Sequence, residues 1–349
     1  MQGICRRART AATAGALSLL FFGLAMSADA SCGSSSCFLS TRSLDGVVLE
    51  GAFWVDISYR YVNQSRWLEG RKEVAEVLVP RIDFEGGEIE PDHHREIRTL
   101  NSQLQVDLAY GLTDRLTLSA SLPLVNHRGH EHFHIEEAEA HETEGKAEEG
   151  AHAERFSNQD GTTGLGDVQL GARYALLVEG RDLLIGGLGV KLPTGVYRLR
   201  DSEGQINEPT IQPGTGTLDL FATLHYTRQI APGRSEWFAL GSYRVSGENA
   251  LDYRFGDEAV ANLGMSRRVG ERITLSLQAN GRRTGRDEFN GQPVPSTGAT
   301  LVNLTPGVRL GSQSGTSLYG FVPIPIYQDV NDAQLAPRLG LVVGVSASF

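Results

Sequence analysis

Short segments in which apolar and polar residues alternate recur from Phe53 to the end of the chain. In residues 53–61, for example, every second residue is apolar, and Asp56 and Arg60 lie between them. Successive side chains of a strand point to opposite faces, so this period of two predicts strands with one apolar and one polar face. Twelve strands are predicted, near residues 53–61, 103–110, 116–124, 167–174, 183–193, 217–226, 236–245, 258–267, 273–280, 300–310, 317–327 and 337–349.

The connections between these segments alternate between short and long. Short turns are predicted at residues 111–114, 179–182, 231–234, 270–272 and 312–316, and long polar loops at 63–97, 126–163, 194–213, 246–255, 284–299 and 328–334. Short periplasmic turns and long extracellular loops are typical of outer-membrane barrels, whereas a soluble sandwich has no reason to sort loop length by side. Lipid also requires every backbone group to be paired within the protein. The predicted fold is an all-β, transmembrane antiparallel barrel of about twelve strands over residues 49–349.

Both ends of the chain carry features of an exported membrane protein. Three arginines within residues 6–9 precede an apolar run at 14–26, and Ala-Asp-Ala follows it. This order predicts a secretory signal peptide over residues 1–30; the alternative is a retained anchor, for which the run is short. The last strand ends on Phe349, which resembles the signal read by the outer-membrane assembly machinery. We therefore expect the outer membrane of a Gram-negative bacterium, with its lipid and the barrel assembly machinery as partners.

Cysteine usage and charge narrow the possible chemistry. Cys32 and Cys37 lie in residues 31–48, which we interpret as a periplasmic N-terminal segment. Outside the cytoplasm two nearby cysteines most simply form a local disulfide; a metal or haem role is the alternative, although the sequence contains no C-x-x-C-H motif. The net charge of −10 gives no reason to expect a nucleic-acid partner, whose phosphates need clustered Lys and Arg.

A set of polar residues is predicted to face the inside of the barrel, because these residues occupy the polar positions of their strands. Two interpretations are open. The lining holds water and lets small solutes pass, which we favour, or its charges pair across a closed interior and only stabilise the wall. The set comprises Asp56, Arg60, Gln103, Gln105, Asp107, Asp167, Gln169, Arg173, Asp219, His225, Gln278, Asn280, Arg282, Asn303, Arg309 and Arg338.

The predicted loop at 126–163 contains six of the nine histidines of the chain and many glutamates. Imidazole and carboxylate groups together suit Zn²⁺, Cu²⁺ or Ni²⁺, so His127, His130, His132 and His134 are candidate ligands for ions weakly bound within residues 127–155. A flexible, solvated acidic loop is an equal alternative, and no other cofactor is predicted. The sequence contains no H-x-S-x-G or G-x-S-x-G motif, and we do not expect an enzyme.

Three glycine-rich segments carry a family resemblance. They are GLGDVQLGARY at 164–174, GVKLPTG at 189–195 and PGTGTLD at 213–219. In this order they resemble the outer-membrane transporter family linked to meta-pathway phenol degradation. The resemblance implies a barrel that carries hydrophobic or aromatic compounds, so we expect passive passage of such small solutes. The His/Glu-rich loop and the cysteine segment depart from that family, and they keep open an alternative function in binding or handling transition metals.

Overall fold

The computed structural model describes residues 46–136, 153–158, 160–311 and 315–349. The predicted signal peptide, Cys32, Cys37 and residues 137–152 of the acidic loop lie outside these residues. Within the described part of the chain, no helix is long and apolar enough to cross a membrane.

The described residues form twenty strands and one short 3-10 helix at Pro209–Ile211. The strands are β1 Phe53–Glu69, β2 Lys72–Glu73, β3 Leu78–Asp83, β4 Glu88–Gly111, β5 Leu116–Glu136, β6 Ala153–Ser157, β7 Thr162–Gly164, β8 Gln169–Glu179, β9 Asp182–Lys191, β10 Asp219–Ala231, β11 Ser235–Val245, β12 Tyr253–Arg254, β13 Glu258–Val269, β14 Ile273–Thr284, β15 Glu288–Phe289, β16 Gln292–Pro293, β17 Ala299–Gly311, β18 Ser317–Phe321, β19 Ile324–Val330 and β20 Ala333–Ser348.

The long strands close into an antiparallel barrel. The order around the wall is β1, β4, β5, β8, β9, β10, β11, β13, β14, β17, the pair β18 and β19, and β20. Strands β18 and β19 both pair with β17 and act as two halves of one strand interrupted at residues 322 and 323. Strand β20 then pairs with β1, from Trp54 opposite Ser348 to Glu69 opposite Ala333. The predicted fold is confirmed as a closed barrel of twelve wall strands.

The wall strands have apolar side chains on the outside of the barrel and polar side chains inside, the reverse of a soluble protein. Large apolar side chains point outward and are exposed, as with Leu188 (71%) and Leu263 (58%). Amide side chains such as Gln105 and Gln278 point inward and are buried. The outward residues form an apolar belt that contacts lipid, and the ladders between neighbouring strands pair the backbone groups that could not be left open in hydrocarbon.

The strands β4 and β5 continue far beyond the apolar belt. The sequence predicts loops at 63–97 and 126–163, but the structure extends β4 outward to Glu88 and β5 outward to Glu136, and the two stay paired as far as His94 opposite His134. The prediction is wrong there because the outward side chains of these extensions, such as Arg98 and Glu131, are polar. Both faces of these extensions therefore carry polar side chains, although the backbone pairing of β4 with β5 continues.

The remaining extracellular connections pack together over the mouth of the barrel. Strands β12, β15 and β16 form a small three-stranded sheet. Its Tyr253 and Phe289 are buried against Ile82 and Val294, and Phe84, Ile89 and Phe255 pack around this cluster. The connection between β9 and β10 folds inward with its 3-10 helix, where Ile211 is buried. We use the name cap for this three-stranded sheet, the residues packed around it and the connection between β9 and β10.

Candidate functional site

The structure places most of the predicted lining residues inside the barrel. Arg338 is the exception. It is exposed, because the pairing between β1 and β20 shifts register between Asn63 and Gln64, so counting alternate positions fails there. The buried residues are Asp56, Arg60, Gln103, Gln105, Asp107, Asp167, Gln169, Asp219, His225, Gln278, Asn280 and Asn303. The half-buried residues are Arg173, Arg282 and Arg309.

Many of the inward charges pair with one another. The ammonium of Lys191, which is only 2% exposed, lies 2.7 Å from Asp219 Oδ2 and 3.5 Å from Asp167 Oδ2. Farther round the wall, Arg282 Nε donates to Glu258 Oε2 at 2.5 Å. These pairs connect neighbouring segments and stabilise the wall. Sequence analysis did not select Lys191 or Glu258; the lysine interrupts the glycine-rich segment at 189–195, which is the signal that could have revealed it.

The three glycine-rich segments meet at the carboxylate of Asp167. Gly195 N–H donates to Asp167 Oδ1 and Thr215 N–H donates to Oδ2, both at 2.8 Å. A Cβ atom on Gly195 would lie 2.7 Å from the Cα of Gly214, closer than real Cβ contacts come. Glycine is therefore required where the second and third segments cross. The segments that are separate in sequence form one structural unit inside the barrel.

A cavity of about 270 Å³ lies between the cap and the barrel interior. Its lining is mixed. Apolar contacts come from Val79, Ile82, Phe255, Val294 and Leu301, and polar groups come from Gln64, Arg128, Glu208, Arg282 and Asp287. A second cavity of about 60 Å³ lies next to it, lined by Gln103, Asp167 and Lys191, and Arg128 contributes to both linings.

A group of imidazoles lies beside the larger cavity, where the extensions of β4 and β5 are paired. The register sets His94 opposite His134, Glu96 opposite His132 and Thr99 opposite His130. The ring centroids of His132 lie 4.7 Å from His94, 4.6 Å from His130 and 4.4 Å from His134. His93 joins at the edge, with its ring centroid 6.0 Å from that of His134.

Three carboxylates complete this group, which we call the histidine cluster: His93, His94, His130, His132 and His134 with Glu96, Asp160 and Glu208. Asp160 arrives from the segment after β6, and Glu208 directly precedes the 3-10 helix. His94, Glu96 and His130 form one set of possible metal ligands, and His132, His134 and Asp160 form another. We name them the Glu96 set and the Asp160 set.

One histidine from each set has a strongly shifted pKa. Burial alone would lower the pKa of His94, but the carboxylates of Glu208 and Glu96 outweigh it and raise this pKa to about 10. The pKa of His132 is lowered to about 3, because its ring is buried and lies near His130 and His94. At neutral pH His94 therefore carries a proton balanced by carboxylates, whereas His132 is neutral.

The structure separates His127 from the other candidate ligands. It is exposed on the outer face of β5, with Nδ1 2.7 Å from Thr163 Oγ1, while His130, His132 and His134 are on the inner face. Sequence analysis did not find Asp160 or Glu208, since each is brought to the cluster by a fold-dependent segment with no motif around it.

The glycine-rich segments around Asp167 fall within a region that matches a known family. The family model described as putative MetA-pathway of phenol degradation matches residues 99–320. The chain belongs to this family. This confirms the predicted resemblance. The matched region begins in β4 and ends in β18 of the barrel. No curated protein sequence matches the chain.

Two solved structures of bacterial membrane proteins are similar to this family member. An outer membrane channel from Pseudomonas putida F1 has a TM-score of 0.58 at 15% sequence identity, and the superposition covers 87% of this chain and 98% of that chain. The Pseudomonas putida toluene transporter TodX has a TM-score of 0.44 at 10% identity, covering 93% of this chain and 95% of that chain. At 15% identity, the likeness to the Pseudomonas putida F1 channel shows the barrel fold alone.

Proposed function

We propose that this protein is an outer-membrane channel through which small hydrophobic or aromatic molecules pass by diffusion. The observation that carries the proposal is the cavity of about 270 Å³ beneath the cap. An apolar cavity of roughly 150 Å³ is enough to hold benzene. The cavity therefore has room for a single substituted aromatic ring, in agreement with the phenol-degradation family of the chain.

The lining suits a ring that carries a polar substituent. Phe255, Val294 and Leu301 offer apolar contact to the ring. Arg128 and Asp287 offer a hydrogen-bond donor and an acceptor to a hydroxyl group. Binding sites for small molecules commonly combine an apolar surface with a few polar groups of this kind.

The route toward the periplasm leads past the smaller cavity. At about 60 Å³ it is too small for an aromatic ring. Passage therefore requires side chains around it to rotate. The residues that line both cavities, and so lie at their junction, are Arg128, Pro209, Thr210 and Phe255. Lys191, which lines the smaller cavity, stays paired with Asp219 and holds the neighbouring segments of the wall together while this happens.

A substitution that fills the cavity tests the proposal. Ala299 lines the cavity on β17, and Leu304 on the same strand is exposed on the lipid face. In cells that express each variant, we expect Ala299→Trp to slow the uptake of labelled phenol, because the indole occupies the solute's space. Leu304→Trp should leave uptake unchanged. Heat-shifted mobility on gels checks that each barrel has folded.

Single-channel current in planar bilayers provides the second measurement. Wild type and Leu304→Trp should conduct, and Ala299→Trp should conduct less. Uptake by expressing cells no faster than by cells without the protein, together with no current from folded wild type, would refute the channel.

A further inference from the structure

We propose that the histidine cluster binds a divalent transition metal ion through the Asp160 set, with His132, His134 and Asp160 as ligands. This inference goes beyond solute passage and does not depend on it. The ion belongs to the class that prefers imidazole and carboxylate ligands, of which Zn²⁺ is the simplest member.

The distances within the Asp160 set fit such an ion. Zinc lies about 2.0–2.2 Å from its nitrogen and oxygen ligands, which puts neighbouring ligand atoms of a tetrahedral site roughly 3.4 Å apart. Here His132 Nε2 lies 3.0 Å from His134 Nε2 and 3.4 Å from Asp160 Oδ2. His134 Nε2 lies 3.6 Å from the same oxygen. The three atoms thus already form one face of a tetrahedron, and the fourth position remains for water.

The carboxylate of Asp160 is held in place by its own neighbours. Ser157 Oγ donates to Oδ2 at 2.5 Å, and Ser202 donates to Oδ1 from its backbone N–H at 3.1 Å and from its hydroxyl at 3.0 Å. Hydrogen bonds that orient a ligating carboxylate are typical of metal sites. Asp160 is buried, so these hydrogen bonds take the place of the water that would surround an exposed carboxylate.

The Glu96 set has a similar composition but a different electrostatic environment. His94 Nε2 lies 3.1 Å from Glu208 Oε1 and 3.4 Å from Glu96 Oε1. Two carboxylate oxygens therefore already approach this nitrogen without an ion. In the Asp160 set, two imidazole nitrogens and one carboxylate oxygen lie within 3.6 Å of one another, so one ion can contact all three. This difference assigns the ion to the Asp160 set.

The position of the Asp160 set gives the ion a structural consequence. His132 and His134 precede residues 137–152, and Asp160 follows them. An ion bound there connects the outer end of β5 to the returning chain, beside β6. Its neighbours His130 and Glu96 line the larger cavity, so the ion lies at the side of the solute-accessible space.

Zinc titration of the refolded full-length chain by calorimetry tests the assignment. We expect one zinc ion per chain for wild type and for the control His127→Ala, which changes an exposed histidine on the same strand. The double variant His132→Ala/His134→Ala and the single variant Asp160→Asn should lose this ion. Ser202→Ala should weaken binding by about 10–100-fold, because it removes one hydrogen bond to the ligating carboxylate.

Two further variants distinguish the Asp160 set from other possible zinc ligands in the chain. Replacing residues 137–152 by a short glycine–serine turn should leave the ion bound, and so should Glu208→Gln. The absorption of bound Co²⁺ should show tetrahedral coordination in wild type and lose it in Asp160→Asn, which still folds if its heat-shifted mobility is normal. Unchanged zinc binding in Asp160→Asn and in the double variant would overturn the proposal. Loss of binding only on replacement of residues 137–152 would do so as well.

Discussion

The strands β4 and β5 run through the apolar belt and then beyond it, and the two regions differ in which side chains face outward. Within the apolar belt their outward residues, such as Leu104 and Leu118, are exposed to lipid, and their inward residues, such as Gln105 and Ser121, are polar and buried. Beyond the belt the outward residues Arg98 and Glu131 are charged, and the cap buries Tyr253 and Phe289 as a soluble protein would. The backbone ladder is the same in both regions. The surrounding solvent alone decides which chemistry each face carries.

The largest effect should come from breaking a buried charge pair in the belt. Lys191→Met leaves Asp167 and Asp219 buried without their shared cation, and we expect the free energy of unfolding to fall by about 3–5 kcal/mol. Urea unfolding in lipid vesicles measures this. In the control Arg228→Met, the lost pair with Asp182 is exposed, so a loss of about 0.2–1 kcal/mol is expected. Equal losses in both variants would show that burial does not matter to these pairs.

A charge placed on the lipid face should have the next largest effect. Leu263 is exposed halfway along β13, so Leu263→Arg should lower the free energy of unfolding by about 2–4 kcal/mol. His127 is also exposed on the outer face but beyond the belt, and His127→Arg should change stability by less than about 0.5 kcal/mol. If both variants lost the same free energy of unfolding, the assignment of Leu263 to the belt and of His127 to the region beyond it would be wrong.

The cap should respond to the loss of a single buried hydrogen bond. Tyr253 Oη donates to Asp287 Oδ2 at 2.6 Å, and both residues are buried. Tyr253→Phe should therefore reduce stability by about 1–3 kcal/mol. Tyr327 makes a similar bond to Asp329 at 3.0 Å on the exposed surface, so Tyr327→Phe should change stability little. Urea unfolding that is equally affected by both substitutions would show that the cap interior is accessible to water.

The sequence predicts the belt well because two signals coincide there. Alternation identifies the wall strands, and short polar turns such as residues 111–114 and 270–272 separate them. Beyond the belt the first signal disappears, since His127 and Glu131 outside are as polar as His130 and His132 inside. The strand extensions were therefore predicted as loops.

The candidate sites were only partly predictable. His130, His132 and His134 occupy alternate positions, which in a strand lie on one face, but Asp160 and Glu208 reach them through segments with no local pattern. Arg338 was assigned inward because a register shift cannot be seen in the sequence. The signal peptide and the Cys32–Cys37 disulfide stay predictions.

The pairing of β1 with β20 imposes an order on assembly. Phe53 exchanges backbone hydrogen bonds with Phe349, at 3.1 and 2.8 Å, although the two residues lie far apart in the sequence. Without β20, the first wall strand has an unsatisfied edge, and such an edge is not tolerated in hydrocarbon. A chain that lacks only its final strand should thus fail to integrate rather than form a slightly smaller cylinder. Closure of the wall in the bilayer therefore requires β1 and β20 together.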